Sequence, residues 1–152
     1  MTILHTGGCR CGAIIFEASA DPFYTSYCHC TDCRRASGAP VAAFVGFLAE
    51  HVTFRGEASI YGKFPISRSF CATCGAPIAY RDARIEDQVF FMLGAMDHPE
   101  RYPPTVHGYV SEQLPLDFCG CRSTLRRGRV MCCRMLGLLV ADLQQPTGSL
   151  HF

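Results

Sequence analysis

Through residues 1–116 the apolar positions come in short runs, many alternating with polar ones, and turn residues break the runs every few positions. This two-residue period predicts strands over 13–18, 41–47, 52–55, 59–61, 67–70, 88–94 and 105–110. Gly38 and Pro40 precede the second run, and Gly56, Gly62 and Pro65 punctuate the next three. The run over 88–94 is apolar at consecutive positions through Val89, Phe90, Phe91, Met92 and Leu93. A strand buried on both faces reads that way, so this one is expected near the centre of a sheet. One short helix is predicted to start near Thr31 and Asp32, which cap it, and to run through Arg34, Arg35 and Ala36 to a stop at Gly38. No long helical period occurs before residue 120. The expected class is mainly β, built of small antiparallel sheets.

The rhythm ends near residue 117. Cys119, Cys121, Cys132 and Cys133 crowd together there with Arg122, Arg126, Arg127 and Arg129, and an apolar stretch follows over 131–143. The expected organisation is a β domain over 1–116 and an irregular or helical Cys- and Arg-rich tail over 117–152.

Composition narrows the class without naming a partner. With 49% hydrophobic and 18% charged residues in 152, the chain can bury a core and is far from a disordered composition. A net charge of +1 leaves no electrostatic footprint for nucleic acid, and four arginines without flanking aromatics read as a solvated basic tail. The first residues lack a basic start, an apolar core and a cleavage site. No apolar run reaches the roughly 18–20 residues that cross a bilayer, and the longest candidate, over 130–143, holds Arg134 and Asp142. The chain is expected in the cytoplasm and away from membranes, where thiols stay reduced and clustered cysteines more often hold metal than form disulfides.

Seven of the eleven cysteines fall into three tight groups: Cys9 and Cys11; Cys28, Cys30 and Cys33; Cys71 and Cys74. Cysteines one or two residues apart reach one zinc ion from a tight turn. Gly12 and Gly75 each follow a cysteine pair, as such turns favour. Seven ligands divide most naturally into four plus three. Cys9, Cys11, Cys71 and Cys74 are expected to close a structural zinc site that staples two distant hairpins. Cys28, Cys30 and Cys33 suffice to hold a second zinc and leave its fourth position for a guest. The other possibility is a second closed site, with His107, His98 or a tail cysteine as fourth ligand. Zinc deprotonates a coordinating thiol, so an open three-thiolate ion suits the activation of a small thiol beside an electrophile. Arg34 and Arg35, just past Cys33, are expected to offset the charge of that thiol or to hold carboxylates of the substrate. Neither ferredoxin spacing of iron–sulfur proteins is present.

Three segments carry a resemblance. Gly8 to Gly12 (GCRCG), Tyr27 to Pro40 (YCHCTDCRRASGAP) and Arg68 to Ile78 (RSFCATCGAPI) are similar, in this order, to the motifs of the glutathione-dependent formaldehyde-activating family, also called centromere protein V-like. The resemblance covers residue 7 to about 110. It implies a β-tent fold with two zinc ions. Matched motif to motif, Cys9, Cys11, Cys71 and Cys74 take the structural role, and Cys28, Cys30 and Cys33 the catalytic one. It also implies a carbon–sulfur lyase whose partners are a small thiol such as glutathione and a small aldehyde such as formaldehyde, joined as S-hydroxymethylglutathione. The chain departs from the family pattern after about Leu116, and it has no tryptophan where members usually carry one.

Other signals are set aside. His98-Pro99-Glu100 has the H-x-E form of zinc deaminases without their downstream P-C-x-x-C. His29 lies between two ligands and is expected to pack or to support the site from behind. Phe44, Phe47, Phe90 and Phe91 are expected in the core, with one of them a candidate wall of the pocket. The competing functions are a lyase-like enzyme, a non-catalytic zinc-stabilised thiol carrier or protein-interaction module, and, with least support, a nucleic-acid binder acting through the arginine tail.

Overall fold

The computed structural model describes residues 4–115. The expected tail, with its cysteines, its arginines and the stretch over 131–143, lies outside the described residues. Ten strands and one α-helix follow in chain order: β1 (His5–Gly8), β2 (Ile15–Ala18), β3 (Tyr24–Cys28), α1 (Thr31–Ser37), β4 (Ala42–Leu48), β5 (Val52–Arg55), β6 (Ser59–Lys63), β7 (Ile66–Phe70), β8 (Pro77–Asp82), β9 (Gln88–Met92) and β10 (Val106–Gly108). The protein is mainly β, as its period-two patterning requires.

Two sheets carry these strands. The smaller has the order β1-β2-β5 and the larger β10-β3-β4-β9-β8-β7-β6. Every pairing is antiparallel except that of β10 with β3. β9, the consecutive apolar run, sits between β4 and β8 as expected. It is shorter than its pattern suggests, because Leu93–Ala95 turn into a 3-10 segment. Likewise β10 keeps only three residues, and Tyr109 leaves it in a left-handed conformation, φ 56°.

Alternation along the large sheet separates two faces. Val45, Phe47, Ala79, Val89 and Phe91 point to the smaller sheet and join Ile14, Phe16 and Ala18 in the core. At its centre Phe16 and Phe91 stack with ring centroids 3.8 Å apart. Phe44, Tyr80 and Phe90 lie on the other face, where Tyr80 stacks on Phe90 at 4.7 Å and meets Phe44 edge-on at 4.9 Å. The expectation for the four phenylalanines thus divides by face: Phe47 and Phe91 fill the inter-sheet core, and Phe44 walls a space beside Cys33.

Helix α1 ends at Gly38 as expected, but its start is capped differently. The N-cap residue is Cys30, whose Sγ accepts the Cys33 N–H at 3.3 Å. Thr31 and Asp32 are already helical, and the Thr31 N–H donates instead to Glu112 Oε2 at 2.8 Å. A sulfur accepts the hydrogen bond that a serine or aspartate oxygen usually takes at a helix start.

Phe91 is fully buried. Phe91→Ala should lower the unfolding free energy by about 3–5 kcal/mol through lost transfer energy and a residual cavity. Urea titration of the metal-loaded protein, with wild type in parallel, measures the difference.

Candidate metal centres

Two turns of the same build bring four cysteines together. Cys9 follows β1, and its N–H donates to Ile14 O at 3.0 Å; Cys71 follows β7, and its N–H donates to Ala76 O at 2.9 Å. Within each turn a glycine adopts a left-handed conformation, Gly12 at φ 77° and Gly75 at φ 73°, which a side chain would strain. The four Sγ atoms of Cys9, Cys11, Cys71 and Cys74 all lie within 4.8 Å of one another. Cys9 Sγ is 3.5 Å from Cys11 Sγ, which is 3.7 Å from Cys71 Sγ. Zinc–sulfur bonds of about 2.3 Å in a tetrahedron set the sulfurs about 3.8 Å apart, so the donor set fits zinc.

The second cluster is local in sequence. β3 ends at Cys28, Cys30 caps α1, and Cys33 stands in its first turn. Their Sγ atoms gather within the same 4.8 Å limit, with Cys28 and Cys30 3.5 Å apart. Among the described residues no fourth His, Cys, Asp or Glu joins this cluster. His107 Nδ1 lies 3.0 Å from His29 Nε2, and His98 Nδ1 lies 3.3 Å from Glu100 Oε1. The tail cysteines lie outside the described residues. His29 is buried, and its backbone N–H donates to Gly108 O at 3.0 Å, which helps bind β10 beside β3.

The thiol acidities express crowding. Burial pushes the Cys33 thiol far up, and the sulfurs of Cys28 and Cys30 push it further. Burial also raises Cys28. At Cys9 burial opposes ionisation, but hydrogen bonds from the Ile14 amide and from Cys11 and Cys71 outweigh it and bring the thiol down to about 6. Cys11 moves the other way. The Ala13 amide lowers it, yet the sulfurs of Cys9 and Cys74 prevail and hold it up at about 11. Cys74 is lowered as well, the Ala76 amide first among the causes, so it is Cys11, between the sulfurs of Cys9 and Cys74, that keeps its proton until a cation joins them.

One residue beside the trio opens the third motif segment, yet nothing in its local sequence marks it as a neighbour of Cys33. Arg68, on β7, has a side chain only 11% exposed. Its Nη2 donates to Asp32 Oδ2 and lies 3.9 Å from Cys33 Sγ. Its guanidinium carbon stands 5.9 Å from the centre of the Tyr80 ring. Burial raises the Tyr80 hydroxyl's pKa, with the charge of Cys33 adding to it. Arg68, Tyr80, Phe44, Tyr61 and Met92 line a space of about 20 Å³ next to Cys33. A larger cavity of about 210 Å³ is lined by Phe54, Ala58, Val89 and Ala79 and shares Arg68 and Tyr80 with the small space, but no cysteine lines it.

The two arginines expected at the substrate stand differently. Arg34 donates through Nη1 to Glu112 O at 3.1 Å and through Nη2 to Thr31 Oγ1 at 2.9 Å, fastening α1 to the 110–112 turn. Arg35 is exposed on the helix.

The family model described as glutathione-dependent formaldehyde-activating enzyme matches residues 4–112. The chain belongs to this family. All seven clustered cysteines lie within the match. The chain is also similar to a solved structure of a Rhodobacter sphaeroides protein, at 24% identity and a TM-score of 0.48, over 60% of this chain and 87% of that one. Among the described residues no helix is long and apolar enough to cross a membrane.

The two clusters should respond differently to loss of a ligand. A tie between Cys11 and Cys71 closes a loop of 60 residues. By the chain-entropy relation such a closure contributes about 4 kcal/mol, against about 2 kcal/mol for a loop as short as that of the trio. The zinc-loaded wild type should carry two ions per chain. Cys71→Ser and Cys30→Ser should each lose one, with the larger fall in thermal midpoint for Cys71→Ser. Metal quantification and calorimetry read both outcomes.

Proposed function

We propose that the chain is a zinc-dependent, carbon–sulfur lyase-like enzyme that activates a small thiol of the glutathione kind for reversible addition to a small aldehyde such as formaldehyde. Two zinc ions serve it. Cys9, Cys11, Cys71 and Cys74 hold the structural one, and Cys28, Cys30 and Cys33 hold the reactive one. The observation that carries this reading is the difference in ligand number between the two clusters, four sulfurs against three. Family membership supports it as well.

Zinc held by three thiolates, when bound, keeps a position for a guest and lowers the pKa of a thiol that reaches it. The protein's own residues do the rest. Cys28, Cys30 and Cys33 fix the point at which the guest sulfur docks. Phe44, Tyr80 and Met92 keep bulk water from that point, and the 20 Å³ space beside Cys33 has room for a molecule about the size of water or of a one-carbon carbonyl. In the addition, a sulfur lone pair forms the C–S bond, the carbonyl π pair moves to oxygen, and that oxygen takes up the proton given up by the thiol. The reverse reaction breaks the C–S bond and returns the proton. The cytoplasm suits this chemistry, since the thiols stay reduced there.

Exchange spectroscopy with labelled formaldehyde and glutathione tests the proposal. The zinc-loaded protein should raise the rate of exchange between free formaldehyde and its thiol adduct, and Cys30→Ser should abolish both this acceleration and glutathione binding while the fold survives. Glutathione binding without acceleration would assign the chain to the thiol carriers. Absence of binding in the wild type would overturn both readings.

A further inference from the structure

Resting on the thiol-activation reading, we propose that Arg68 is a positioning residue that makes the three-cysteine site select an anionic sulfur ligand over a neutral one. Three thiolates around a divalent cation already carry a net negative charge, and a guest thiolate adds another. A site with no cation nearby would favour a neutral fourth ligand such as water or an imidazole.

Arg68 supplies that cation from β7, 35 positions from Cys33. Its Nη2 faces Cys33 Sγ at 3.9 Å, and it lines the same small space as Cys33, Phe44 and Tyr80. Three features hold it there. Cross-strand pairing sets Arg68 opposite Tyr80 on β8, the Tyr80 ring lies under the guanidinium, and Asp32 on α1 accepts a hydrogen bond from the same nitrogen. Asp32 does not cancel the effect at the sulfur. Its side chain is 76% exposed and screened by water, whereas that of Arg68 is 11% exposed and faces the cluster from a drier side. Asp32 therefore acts as an anchor that tempers the positive charge. Arg34 cannot replace Arg68 in this geometry, since its guanidinium is spent on Glu112 and Thr31.

The test uses the full chain loaded with cobalt(II), whose absorption reports the fourth ligand. Each protein is titrated separately with glutathione, an anionic sulfur donor once bound, and with imidazole, a neutral donor. Arg68→Gln should weaken glutathione binding by about 10- to 100-fold, the usual span for partners just outside a metal's ligands, and leave imidazole affinity within about twofold. Arg68→Lys should recover most of the loss. Asp32→Asn, an exposed change that keeps a hydrogen-bond acceptor, should tighten glutathione by about threefold or more. That opposite sign is one that a merely structural role would not produce. Retention of two metal ions per chain verifies the fold, and if Arg68→Gln loses an ion the Asp32→Asn titration decides alone. Equal weakening of both ligands by Arg68→Gln, no weakening of either, or no tightening by Asp32→Asn would overturn the proposal. None of these touches the thiol-activation reading, which fails if the wild type binds no glutathione or binds it without accelerating the exchange.

Discussion

Sulfurs packed 3.5–3.7 Å apart repel one another when they ionise together, and this constraint shapes both cysteine clusters. Without a cation only a fraction of the clustered sulfurs can ionise, as the opposed shifts of Cys9 and Cys11 express. A divalent ion converts the repulsion into attraction. The fold gathers sulfurs that could make that exchange at two points, and the two differ in how much chain each one closes.

The four-sulfur cluster gathers ends that are far apart along the chain. It joins the turn after β1, in the smaller sheet, to the turn after β7, in the larger one. Between those sheets the Phe16–Phe91 stack and its neighbours remove apolar surface from water. Burial gives the two sheets their affinity, and the sulfur clip sets where the edges meet. The trio has little to gain for stability, because its loop is short. Its position is governed instead by β3 and by a helix whose first turn is capped with one of the sulfurs.

That cap links fold to site. Cys30 Sγ takes the Cys33 N–H, so the helix start and the geometry of the sulfur cluster are one structure. Another free amide, that of Thr31, is served by Glu112 from the far end of the described chain, and Arg34 fastens the same turn through the Glu112 carbonyl. The arginines beside Cys33 are thus helix furniture in one case and solvent-facing in the other. The cation that meets the sulfurs comes from β7.

Sequence alone determined what local spacing can determine. Cysteines within six positions of each other must share a neighbourhood, so the trio was legible from Cys28, Cys30 and Cys33, and the paired turns from Gly12 and Gly75. The period-two runs located the strands, and the run through Phe90 and Phe91 announced a central one. Their ends were less legible: β9 stops at Met92 and β10 at Gly108, where backbone hydrogen bonding changes without any mark in the hydrophobic pattern. Only the tertiary structure decided which face each phenylalanine takes, that Arg34 is tied to Glu112, and that Arg68 stands over Tyr80 and beside Cys33. The reason is physical. Those contacts depend on the register of strands paired across long stretches of chain, and a shift of one residue would turn Arg68 to the opposite face while leaving its local sequence unchanged.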